Sequence, residues 1–223
     1  MDLSALPILS ELYNNWPLII GGLVKTIILS SVVTVNGLLG GVFVFWLTLS
    51  RNRIVQGLTQ GYIALLIGTP LIVFLFLLYY GLPGLGVTLS PFTIAAIGFF
   101  FNVSAYNARY LSSAFKGLNQ TELQAARAQG FSEFQVFHLI TAPQAIRMSV
   151  PSLTNQAILN IKDSSIVFLI QYTEFFAQMQ EIAMSSFLFF EAYVFTALVY
   201  LLLVSIIVIA ARWIEAAVNI PRT

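Results

Sequence analysis

The chain has 223 residues and a formal net charge of +1, with charged residues at only 9% and hydrophobic ones at 58%. Soluble domains carry about 25% charged and about 45–50% apolar residues, so the composition predicts an all-α polytopic membrane protein and excludes an ordinary soluble enzyme. The absence of a basic cluster excludes a nucleic-acid partner, the absence of cysteine excludes disulfides and thiolate chemistry, and the single histidine, His138, lacks companions that would make it a metal ligand.

Met1 to Pro17 is mildly apolar, carries Asp2 and Glu11, and has no basic cluster of the kind that opens a signal peptide, so it is expected to stay on the mature protein. A first span is predicted near 18–50, charge-free from Thr26 to Ser50 and stopped by Arg51 and Arg53. Lys25 lies near its outer end, where it can snorkel. Within it Ser30, Ser31, Thr34, Gly37, Gly40 and Gly41 are small enough to let a neighbouring helix approach.

The next charge-free run, Ile54 to Ala108, is too long for one helix and breaks at the turn composition Gly81-Leu-Pro-Gly-Leu-Gly86. Two spans are expected there, near 57–80 and 91–111. Pro70 lies inside the first of these and kinks or unwinds it, which makes Thr69 a candidate pathway residue because freed backbone groups at membrane depth must line a cavity or meet protein.

Residues 121–147 form the most polar long stretch. Ala125, Ala126 and Ala128 favour helix, Gly130 interrupts it, and Ser132-Glu-Phe-Gln135 reads as a capping box starting a second helix. Phe131, Phe134, Phe137 and His138 recur at helical spacing and predict a knob with an apolar face. Such a face packs on the protein's own helix ends or plugs a partner's groove.

A fourth span is expected near 150–170 and a fifth near 187–211. Between them Phe176, Met179 and Ala183 recur at helical spacing, which suits a segment lying along the interface or receiving a partner. Lys162 and Asp163 fall within the fourth span, where a lone lysine costs about 2.5–3.5 kcal/mol on insertion scales, so both must face protein or water. They serve either an internal ion pair or a bond to exposed helix-end carbonyls, or else the edge of a pathway. Asn155, Asn160, Ser164 and Ser165 add donors and acceptors on the same span.

With five spans, Arg51, Arg53, Lys116, Arg127, Arg147, Arg212 and Arg222 share one side, while Asp2, Glu11, Glu174, Glu181 and Glu191 share the other. Cytoplasmic loops carry the excess of lysine and arginine. The amino terminus is therefore expected outside, and the carboxyl terminus and 121–147 in the cytoplasm.

Ala125-Ala126, Gly130, Ile140 and Pro143 together resemble the "EAA" loop by which membrane subunits of bacterial ABC importers dock into their ATPase. Further segments in matching order are similar to permeases for polar amino acids, of the histidine, glutamine and arginine uptake type: Gly22 to Ser30, Gly68 to Val73, Leu78 to Pro83, Ala105-Tyr106, Pro143 to Arg147 and Lys162 to Ile166. The chain departs from the pattern at Gln124, which replaces the loop's glutamate, at Ala142, at Ile67, which replaces an arginine, and at Arg109, which replaces a glutamate.

The resemblance implies one transmembrane domain over 1–223 in the bacterial inner membrane, docking through Gln124, Ala125, Ala126, Gly130, Phe131, Phe134 and His138. The expected substrate pathway is Thr69, Asn155, Asn160, Lys162, Asp163 and Ser164. No Gly-x-x-x-x-Gly-Lys-Ser/Thr loop is present, so ATP and magnesium are expected on a separate ATPase dimer and no cofactor in this chain. A second permease subunit, identical or related, an extracytoplasmic solute-binding protein and a polar amino acid complete the implied partners. Two rival readings stand beside this one, an autonomous secondary transporter and a non-transporting assembly subunit.

Overall fold

The computed structural model describes residues 7–217. The expectations for residues 1–6, Asp2 included, and for Arg222 lie outside the described residues. Those described are helical with connecting turns and include no strand. The elements are α1 (Pro7–Asn14), α2 (Trp16–Thr48), α3 (Arg53–Gly68), α4 (Leu71–Gly81), α5 (Pro91–Phe115), α6 (Gln120–Ala128), α7 (Glu133–Val136), α8 (Ala142–Asp163), α9 (Phe175–Ser186) and α10 (Phe189–Ala217).

At 33 residues α2 extends about 50 Å, well beyond the roughly 30 Å of a bilayer's hydrocarbon core. Among the described residues α2 and Phe189–Trp213 are each long and apolar enough to cross a membrane, and α3 passes that test only together with the segment after it, as either a broken span or a re-entrant loop. Exposed Ile28, Val35, Leu39 and Phe43 on α2, and Leu198, Leu202, Ile206 and Ile209 on α10, carry no penalty against lipid tails. The kink expected at Pro70 is a full break. Thr69 is extended (φ −101°, ψ 127°) after α3 ends at Gly68, because proline supplies no N–H and its ring excludes the preceding residue from helix.

The chain forms two compact units. Among the described residues, one comprises residues 7–33, Ile72–Gly98 and Ile158–Val208. Its core joins Ile8, Leu12 and Ile19 to Phe175, Met179, Ile182, Ala183 and Ala192. The Phe176, Met179, Ala183 spacing therefore resolves differently from the expectation. Met179 and Ala183 are fully buried and Phe176 is half-buried, so the stripe is α9's own packing face and not a free interfacial surface. At Gly22 a Cβ would sit 2.9 Å from Cγ of Gln178 and 3.0 Å from the carbonyl oxygen of Glu174, so α2 and α9 meet there almost backbone to backbone.

The second unit comprises, among the described residues, Thr34–Leu71, Phe99–Ala157 and residues 209–217. Gly37, Gly40 and Gly41 face Val103, Phe100 and Asn107 so closely that an added Cβ would fall 2.5–2.8 Å from their side chains. The small residues of α2 thus set its distance from α5, since helices in lipid associate by close packing and not by hydrophobic burial. Asn52 starts α3 by accepting the Ile54 N–H at 2.9 Å. Phe45, Ile63, Ala108, Leu111 and Ala145 form the centre of this unit.

Candidate functional site

The segment after α5 folds as its residues dictate. Asn119 caps α6 by accepting the Thr121 N–H at 3.0 Å. Gly130, at φ 89°, then terminates α6. Its N–H reaches the Arg127 carbonyl at 3.0 Å while the Phe131 N–H reaches that of Ala126 at 3.2 Å, the paired closure of a Schellman turn, which places glycine at the left-handed position. Ser132 and Gln135 form the expected capping box, with Gln135 Oε1 accepting the Ser132 N–H at 2.8 Å and Ser132 Oγ accepting the Gln135 N–H at 3.3 Å.

After α7, Phe137–Thr141 makes a π turn in which the Ala142 N–H reaches back to the Phe137 carbonyl. Pro143 comes next, in the first turn of α8. A proline ring clashes with the carbonyl four residues earlier, and the wider π turn relieves that clash while the helical path continues.

Of the expected docking residues, Gln124, Ala125, Gly130, Phe131, Phe134 and His138 are exposed. Phe134 is 63% exposed and stacks on His138 with ring centroids 6.0 Å apart and planes 1° from parallel. Ala126, also expected in docking, is only 7% exposed and packs with Leu123 and Val136, where a small side chain lets the two short helices close on each other. Phe137 follows the first of the two expectations for this face and packs on the protein's own helix end. It turns from the apolar face toward Phe45 and Trp46, at 5.7 and 6.4 Å between ring centroids, since the π turn alters the spacing that aligned it with Phe134. Leu139, 57% exposed, takes its place on the surface.

Glu133 ties this knob to the end of α2. It pairs with Arg51 and, through Oε2, accepts from Arg127 Nε at 3.3 Å and Nη2 at 3.2 Å. Hydrogen bonding from Arg127, with the charges of Arg127 and Arg51 added, holds the Glu133 carboxyl below the usual carboxylate range against a smaller opposing effect of burial. Glu122 accepts from Gln144 Nε2 at 3.2 Å and is not joined to Arg109, which lies instead beside Lys116 in a cleft between α3 and α5. Arg109 and Gln60 line that cleft together, whereas α6 presents Glu122 to Gln144 of α8.

The expected pathway residues divide. Asn155 and Lys162 are exposed, Thr69 and Asp163 are half-buried, and Asn160 and Ser164 are buried. Ser164 Oγ donates to the Ile161 carbonyl at 2.7 Å, so its hydroxyl proton is engaged within its own helix turn. Lys162 and Asp163 do not form an ion pair by distance, in keeping with the divergent directions of sequence neighbours on a helix.

Glu174, expected in an outer loop, has a completely buried side chain. Oε2 accepts from Thr26 Oγ1 at 2.8 Å and Tyr200 OH at 3.3 Å, and Oε1 accepts the Ala177 N–H at 3.0 Å. The carboxylate caps α9 while gathering α2 and α10. A glutamate three residues before that N–H is a local capping signal; nothing local points to Thr26 or Tyr200.

Residues 37–220 match the family described as binding-protein-dependent transport system inner membrane component. The chain is 36% identical to the probable amino-acid ABC transporter permease protein PatM of Vibrio harveyi over 97% of this chain and 94% of that one. It is 31% identical to the probable amino-acid ABC transporter permease protein YckA of Bacillus subtilis (strain 168), over 91% and 89%. Among solved structures, an amino acid ABC transporter crystallised with histidines superposes with a TM-score of 0.83 at 28% identity, covering 92% of this chain and 96% of that one.

Proposed function

The chain belongs to the family of inner membrane components of binding-protein-dependent transport systems, a permease subunit and not a catalytic enzyme, and on that premise we propose that it imports a polar amino acid, driven by ATP hydrolysed elsewhere. The amino-acid substrate is that of the relatives, which are amino-acid permeases. The exposed knob carries the docking part of the reading. Ala125, Phe131, Phe134 and Leu139 present an apolar surface, with Gln124 and His138 beside it, held by two capped helices, the form a plug needs to transmit force from an ATPase groove. ATP and magnesium belong to the ATPase dimer, and a solute-binding protein delivers substrate from outside. The distribution of lysine and arginine supports five spans with the amino terminus outside and the knob in the cytoplasm.

The pathway lies along the polar face of α8. Asn155 and Lys162, two turns apart, are exposed, and contact with lipid would cost roughly 2.5–3.5 kcal/mol for the lysine alone. A second permease subunit, enclosing water and substrate, removes that cost. Asp163 and Thr69 are each assigned as pathway residues on their own elements.

Reconstitution with the ATPase tests the reading. Hydrolysis is expected to rise with solute-binding protein and amino acid together, with uptake in proportion, and Asp163→Asn is expected to lower uptake at normal assembled yield. Uptake that proceeds without ATP would replace this reading with a secondary transporter, and full assembly without any uptake would leave an assembly subunit.

A further inference from the structure

At the carboxyl end of α5 lies a cleft of about 490 Å³. Gln60 of α3 lines it together with Arg109, Tyr110, Ser112, Ser113 and Lys116, giving two cations, four hydrogen-bonding groups and no carboxylate. Arg109 and Lys116 are seven residues apart, hence two turns apart on one face, and both are exposed. Neither forms an ion pair among the described residues. Lys116 alone suffices to offset the partial negative charge on the last carbonyls of α5, an effect confined to the final turn. Arg109 stands six residues before Phe115, the end of the helix, so its charge is left over.

We propose that this cleft is an oxyanion site, in which the Arg109 guanidinium and the Lys116 ammonium hold a carboxylate or phosphate while Gln60 and Ser113 complete its hydrogen bonds. A guanidinium offers a planar fork matched to two oxygens, and an ammonium adds a mobile point charge. The site goes beyond the transport reading, and its geometry rests on the cleft. The oxyanion comes either from a small cytoplasmic solute or from the headgroup of an anionic phospholipid, because the end of α5 sits at the membrane face rich in lysine and arginine.

The test uses the full chain assembled with its ATPase in nanodiscs. Inorganic phosphate and L-glutamate are titrated at constant ionic strength in phosphatidylcholine discs, and phosphatidylglycerol discs form the second arm, with thermal unfolding and radioligand retention as readouts. Saturable binding of either free anion assigns a solute site. A stabilisation given only by phosphatidylglycerol assigns a lipid site. Either effect should weaken roughly tenfold or more in Arg109→Gln and in Lys116→Gln, since each strands a charged hydrogen-bond partner, and persist in Lys25→Gln, which removes a cation elsewhere. Arg109→Lys, keeping the charge but not the fork, should retain part of the binding and serves if Arg109→Gln fails to assemble. Equal binding in all variants, or no response to any probe, overturns the proposal. Uptake measured in the same discs reports on the transport reading separately.

Discussion

The hydroxyl of Thr26 donates to Glu174 Oε2 at 2.8 Å and accepts the N–H of Phe175 at 3.1 Å, locking α2 to the start of α9 across 148 residues of sequence. Both partners are fully buried. Close approach at Gly22 allows it, because only a helix without a side chain there lets the two backbones come so near.

Replacing Glu174 with alanine should strand the Thr26 and Tyr200 hydroxyls, at about 1–3 kcal/mol for a buried orphaned donor, and remove the α9 cap, at about 0.5–2 kcal/mol. Glu174→Gln keeps an acceptor and should recover most of that stability. Thermal unfolding of the assembled complex checks the ranking; equal midpoints for the two variants would deny Glu174 this role.

Gly37→Val should cost about 1–3 kcal/mol by overpacking, because the new Cβ meets Val103 Cγ1 at 2.5 Å. Gly57→Ala is the matched control, with nothing within 4 Å of its Cβ. Assembled yield and detergent stability should fall for the first and hold for the second.

Gly130→Val forces a β-branched residue to φ 89°, costing roughly 1–3 kcal/mol of backbone strain, although no atom lies within 4 Å of the added Cβ. The loss should therefore be confined to the turn: substrate-stimulated ATP hydrolysis and uptake fall while the spans assemble normally. Coupled transport at full rate would separate the knob from coupling.

Glu133 is held below the usual carboxylate range by Arg127 and then Arg51. A depressed carboxylate contributes stability that is complete above its unfolded value, near 4.5, and is lost as pH falls through the lower folded value. Amide exchange in α6 and α7 should be flat from neutral pH to about 5 and rise only in stronger acid. Glu133→Gln should show slightly faster exchange at neutral pH and no such rise. The effect will be small, since the pair is exposed and screened by salt.

Features set by near neighbours were legible in the sequence. Composition alone determined a membrane protein, the turn at Gly130 and the Ser132–Gln135 box came from left-handed φ and reciprocal capping, and Pro70 marked the break after α3. Gly37, Gly40 and Gly41 announced a close helix contact without naming Val103, Phe100 and Asn107 as the other side. Tertiary structure alone decided the rest. Ala126 and Phe137 turned inward because the two short helices need a small seam and the π turn rotates its own residues off the helical register. The burial of Glu174 was likewise invisible. A charge reads as exposed from its local sequence, and only contact with Thr26 and Tyr200, supplied by distant helices, offsets the free-energy cost of removing it from water.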